Sequence, residues 1–183
     1  VVYFDFEMHE RVQAHHKRGV WTDTGPRFGH LEVRLRPFHA HAVMTKRENA
    51  EKAKRIQLGM RDGDLPAEAL VEINKAAITM AITGVRGTPL RASGALLMKA
   101  NATNGKIKVS PVDGANAGLI QFTENDEVEH VRSVMSTFLD ISMPMLNCLV
   151  ASSRQLQEIA DAEIDRLGED FVLGRHVALD WHD

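Results

Sequence analysis

Apolar and charged residues alternate strictly through Leu31-Glu32-Val33-Arg34-Leu35-Arg36, the signature of a strand with one face buried and one in water. Val20-Trp21-Thr22, led by Gly19, supplies a second arm, and Gly25-Pro26 and Gly29 break regular structure between the two. The pattern predicts a small antiparallel β element over residues 20–36, ended by Pro37. Residues 7–18, with Met8 and Val12 as their main apolar positions, read as a short, weakly amphipathic helix or arm. Residues 38–58 hold good helix formers but only a thin stripe of Val43, Ala50, Ala53 and Ile56, so a largely exposed helix is expected. Gly59 and Asp62-Gly63-Asp64 close it, and Pro66 suits the first turn of the next. There Leu70, Ile73, Ala77, Met80 and Ala81 recur at three- and four-residue steps, widened by Val71, Ala76, Ile78 and Ile82. This predicts the most deeply buried helix, stopping at Gly84.

Glycine, alanine, asparagine and threonine dominate residues 88–120, with Asn104-Gly105 between Leu96-Leu97-Met98 and Ile107-Lys108-Val109. Asn and Gly both accept positive φ, so the segment reads as a protruding hairpin near 95–110, with an unstructured loop as the alternative. Asp113-Gly114 marks the way back. Thr123 can cap a helix over 124–142, with Glu124, Asp126 and Glu127 at its positive end and Val128, Val131, Met135 and Phe138 as its seam. Pro144 then separates Met145-Leu146-Asn147-Cys148-Leu149-Val150 from what precedes it. Ser152-Ser153 opens a final helix to Leu167, with Leu156, Ile159, Ala160, Ile164 and Leu167 inward and Gly168 as the stop. The whole predicts an α+β, mainly α-helical fold of four or five helices. Residues 1–171 form a single domain with an inserted hairpin at 88–121, and 172–183 form a C-terminal tail.

Composition narrows the functional classes. The 183 residues suffice for one core, and 44% hydrophobic with 26% charged residues is ordinary for a folded chain. A formal net charge of -3 argues against nucleic-acid binding, and Glu48 and Glu51 interrupt the cluster Lys46, Arg47, Lys52, Lys54 and Arg55. Cys148 is the single cysteine, which excludes an internal disulfide and a thiolate zinc cluster. No run approaches the roughly 20 apolar residues that span a bilayer, and Val1-Val2-Tyr3-Phe4-Asp5 lacks the grammar of a signal peptide. An intracellular, reducing site of synthesis is expected.

No reaction centre assembles from the sequence. His15 and His16 are adjacent and His39 and His41 form an H-x-H pair, but Pro37 ends the strand before that pair. On a helix, residues two apart diverge, and nothing in the spacing selects Asp5, His9 or His130 as further ligands. Ser152-Ser153 fits a cap better than a nucleophile, and Gly84-Val85-Arg86-Gly87 is too short for a phosphate loop. The expectation is therefore no enzyme, no cofactor and no metal site. Met135, Met143 and Met145 lie close around Phe138, as core filler or as an adaptable docking surface. Trp181, in the short polar terminus, either waits for a partner groove or docks on its own domain.

Phe4-Asp5-Phe6, Gly19-Val20-Trp21 and the strand ending in Arg36, followed by a Lys/Arg/Glu-rich helix, resemble the front of tail assembly chaperones of long-tailed bacteriophages. Ile82-Thr83-Gly84-Val85 resembles that family's Gly-Val turn after its buried helix, Phe122-Thr123-Glu124-Asn125 its next helix opening, and residues 149–158 its closing segment. The resemblance covers about two thirds of the chain in the family's order. The chain differs in lacking a tryptophan near Thr83 and in its longer 88–120 segment. The resemblance implies a protein of the host cell cytoplasm that binds the tape-measure protein, keeps it soluble, recruits tail tube protein and leaves before the tail is complete. Partner contact is expected at Met135, Phe138, Met143, Met145 and Trp181, with the Asn104-Gly105 hairpin as a second contact. The alternative is a virion structural protein: a head-tail connector, a minor tail component or a capsid-associated protein. Self-association stays open.

Overall fold

The computed structural model describes residues 6–91 and 119–173. In chain order they form α1 (Phe6–Arg18), β1 (Val20–Asp23), β2 (Glu32–Leu35), α2 (His41–Leu58), α3 (Ala67–Ala81), β3 (Ile82–Arg86), β4 (Leu90–Arg91), β5 (Leu119–Ile120), α4 (Val128–Ile141) and α5 (Met143–Leu173). The fold is α+β and mainly helical, with a small antiparallel sheet near the N-terminus, as the pattern predicts.

The alternating strand behaves as its sequence dictates. Leu31, Val33 and Leu35 are fully buried, while Glu32 and Arg34 stay half-exposed on the other face. β1 pairs antiparallel with β2, Val20 opposite Leu35 and Trp21 opposite Arg34. β3 completes the sheet on the other edge of β2, with Val85 opposite Val33 and Gly84 opposite Arg34. Sequence reasoning extended the buried helix to Gly84 and missed this strand. α3 instead ends at Ala81, and Ile82 is already extended at φ −71°, ψ 124°. Ile82, Thr83 and Val85 are β-branched, which costs rotamer freedom in a helix and fits a pleated surface. The continuous apolar run through Ala81 and Ile82 hides the switch.

α3 is central, packed against α2, α4 and α5. Its inward face is Ala69, Ile73, Ala77, Ile78 and Ala81, a four-residue step that leaves Leu70, expected inside, 47% exposed. α2 buries only Val43, as its thin stripe predicts, and Ile56 lies in water. It starts at His41 rather than residue 38 because the buried Phe38 donates its backbone N–H to the Ser153 carbonyl (3.1 Å), which holds the lead-in non-helical. Gly59 closes the helix in the left-handed conformation (φ 65°).

Three expected boundaries shift in the C-terminal half. Thr123 does not cap α4. Its N–H donates to the Asp126 carboxylate (2.8 Å) while Asp126 N–H donates to the Thr123 carbonyl (3.1 Å), closing a separate turn, and α4 begins after Glu127. Pro144 does not break a helix; it stands in the first turn of α5, where a missing N–H costs nothing. Ser142 caps that turn, its Oγ accepting from Met145 N–H at 3.3 Å. Ser152-Ser153 and Gly168 lie inside α5 rather than at its ends. The fully buried Ser153 hydroxyl donates to the Arg36 carbonyl (2.8 Å), so it is satisfied without leaving the helix. An interior Gly costs only about 1 kcal/mol relative to Ala, too little to end so long a helix. Of the expected inward residues, Leu156 and Ala160 are buried and Ile159 is 46% exposed.

β4 and β5 pair antiparallel, Leu90 opposite Ile120, at the base of the 88–121 segment. The predicted Asn104-Gly105 hairpin lies outside the described residues, as do residues 174–183 of the predicted tail. No helix among the described residues is long and apolar enough to cross a membrane.

Candidate functional site

The α4–α5 corner decides the fate of the methionine cluster. α4 turns inward Val131, Val134, Met135 and Leu139, and α5 turns inward Met145, Leu146 and Leu149. Only Ser142 separates the two helices. Met135 is 0% and Met145 7% exposed, so both fill the core, and Phe138 is half-buried against it. Met143 is different: it is 44% exposed beside Ile141 at 59%, with Pro144 exposed next to them. Lys75 of α3 forms an ion pair with Asp140 at the edge of this corner. Of the residues expected to meet a partner, Met143 alone offers a substantially exposed apolar side chain. Trp181 lies outside the described residues. Ile141 escaped the sequence reading, although its place three residues after Phe138, in step with the seam, was the available signal.

A second concave region lies between α1, the β2–α2 connection and α5. It encloses ≈ 530 Å³ and is walled by Gln13, His16 and Lys17, by the run from Arg36 to Ala42 without Phe38, and by Gln157 and Ala160. Arg36 Nε donates to the Lys17 carbonyl at 2.8 Å, tying the end of α1 to the sheet. Gln157 Oε1 accepts the His39 backbone N–H at 2.9 Å, tying α5 to the connection. Burial, and then the Arg132 guanidinium, push Arg36 below the ordinary guanidinium range. The H-x-H pair thus shares a cavity with His16, whose Nε2 lies 2.9 Å from Glu163 Oε2. Among the described residues, no group of three or more His, Cys, Asp or Glu side chains is arranged to hold a metal ion.

The outer face of the sheet is occupied by its own side chains. Arg86 and Arg34 stand over Trp21, at 4.1 and 5.3 Å from the ring centre. Arg86 also bonds Glu32 (2.9 Å) and Glu124 (3.0 Å), which raises its pKa further. Trp21 is therefore a structural clamp across the three strands. Compared with known proteins, the chain matches no family model, no curated protein and no solved structure.

Proposed function

We propose that this chain is a tail assembly chaperone of a long-tailed bacteriophage. In the host cytoplasm it holds apolar helical seams of the tape-measure protein, brings tail tube subunits to them and departs before the tail is finished. The observation that carries this reading is the exposed corner of Ile141, Met143 and Pro144, set between two helices that commit Val131, Val134, Met135, Leu139, Met145, Leu146 and Leu149 to the core. The order of motifs along the chain points to the same class of protein. Covering side chains that are about half exposed returns on the order of 1 kcal/mol each. Contacts this weak are reversible, and repeated along a long helix they hold by multivalency.

The test is co-expression with a helical tape-measure fragment, followed by capture of the chain. The wild-type chain should enrich the fragment, and Met143→Asp and Ile141→Asp should each lose most of that enrichment while retaining wild-type helicity. Enrichment no better than bare beads sinks the proposal. So does recovery of the chain from finished particles in fixed copy number, which is the behaviour of a virion structural protein.

A further inference from the structure

The cavity between α1 and α5 is lined by cationic and imidazole side chains. The formal net charge is -3, yet its walls carry Lys17, Arg36, His39 and His41, together with His16, which is paired with the Glu163 carboxylate at 2.9 Å. Arg36 forms no ion pair among the described residues, although it is partly withdrawn from water. Four other cationic side chains bordering the core, Lys75, Arg55, Arg86 and Arg132, each hold a carboxylate. Arg36 Nε donates to the Lys17 carbonyl, and no carboxylate among the described residues balances its charge.

The third contribution comes from the backbone. Ala40, His41 and Ala42, at the start of α2, form part of the wall. α2 has no side-chain cap and no acidic residue in its first turn, so the positive end of its dipole lies at the cavity wall without a side-chain counter-charge of its own. A helix N-terminus, a forked guanidinium and an ammonium lining one space is a combination suited to a phosphate. Pro37, Ala40, Ala42 and Ala160 give the same space an apolar side. At ≈ 530 Å³ it exceeds a free phosphate and falls in the range of small-molecule sites.

We propose that this cavity binds a small phosphate-bearing molecule, its oxyanion held by Arg36, Lys17 and the first turn of α2 and its organic part lying against Pro37 and Ala160. A phosphate suits the site better than a carboxylate. Its three terminal oxygens can meet donors arriving from α1, from the end of β2 and from α2, whereas a carboxylate presents two oxygens in one plane. The proposal is independent of the chaperone reading, because the cavity includes no residue of the α4–α5 corner.

Titration calorimetry of the full chain with inorganic phosphate and with pyrophosphate tests it, with glutarate as the carboxylate arm. Both phosphates should bind saturably, pyrophosphate more tightly, and glutarate should bind at least tenfold more weakly. Arg36→Gln should weaken pyrophosphate binding about tenfold, the scale of one hydrogen bond to a charged group. Because Arg36 also braces Lys17, the exposed-residue variant Lys17→Met, checked for wild-type circular dichroism, provides a second reading and should weaken binding about threefold. The absence of saturable phosphate binding, equal affinity in wild type and Lys17→Met, or equal affinity for glutarate each overturns the proposal.

Discussion

Gly19 joins α1 to β1 at φ +95°, a backbone conformation that side-chain-bearing residues rarely adopt. A Cβ placed there meets Thr83 Oγ1 at 2.7 Å and the Leu35 carbonyl oxygen at 3.0 Å. Thr83 is buried, and its hydroxyl donates to the Arg18 carbonyl (2.7 Å) while accepting from Arg34 Nε (3.0 Å). Gly19→Ala therefore combines two costs. Backbone strain is worth about 1–3 kcal/mol, and displacing the hydroxyl leaves buried polar groups unsatisfied at about 1–3 kcal/mol more. The expected loss is about 2–6 kcal/mol, a large share of the stability of a single domain. Gly25 provides the control. It stands at φ +87° with nothing within 4 Å of its would-be Cβ, so Gly25→Ala carries the strain alone. Urea denaturation followed by circular dichroism measures both variants. Equal losses, within about 0.5 kcal/mol, would refute the argument that the Gly19 site is closed by Thr83 and Leu35. A Gly19→Ala/Thr83→Ala pair should also show coupling, since removing the hydroxyl relieves the closest contact and leaves only the Leu35 carbonyl.

The same denaturation assay separates packing from docking in the methionine cluster. Met135→Ala should cost about 2–5 kcal/mol as a core truncation, and Met143→Ala less than about 0.5 kcal/mol as a surface change. A destabilising Met143→Ala would mean that the corner is packed, not presented. Asp23 gives a pH signature: the Gly25 N–H (2.6 Å) first, and then the His30 ring (2.9 Å), hold its carboxyl below the usual range. A depressed carboxylate stabilises the fold above its unfolded value, about 3.9, and that contribution disappears as pH falls through the folded value. The deficit of Asp23→Ala relative to wild type should shrink as pH falls below about 4; a deficit that keeps growing below that point contradicts the assignment.

What the sequence disclosed depended on whether one segment carried the whole signal. The β1–β2 hairpin was legible because alternation over six residues leaves one solution for which face is buried. β3 was hidden because Ile82 continues the apolar run of α3 and the strand follows that helix without a break. Ser142 shows a subtler loss. Helical periodicity within α4 and within α5 is clear, but a one-residue corner resets the phase between them, so spacing alone could not say that Met145 turns in while Met143 turns out. The cavity was invisible for a different reason. Its walls come from three separated stretches around residues 16, 39 and 158, and no local pattern connects Lys17, Arg36 and Gln157.

α5 carries both proposed surfaces, and its length keeps them apart. Met143 stands in its first turn, and Gln157 and Ala160 reach the cavity. At a rise of 1.5 Å per residue, Met143 and Ala160 are separated by about 25 Å along the axis, well beyond the roughly 8 Å over which exposed charges interact at physiological salt. Substitutions at such a distance with no shared partner add. A Met143→Asp/Lys17→Met double variant should therefore lose tape-measure capture to the extent that Met143→Asp alone does, and pyrophosphate affinity to the extent that Lys17→Met alone does. Filling the cavity should leave capture unchanged. If pyrophosphate instead alters capture by the wild-type chain, the coupling must run through α5 as a rigid element. The bond from Gln157 to His39 and the bond from Ser153 to Arg36 are then the contacts through which a ligand at α2 would shift it.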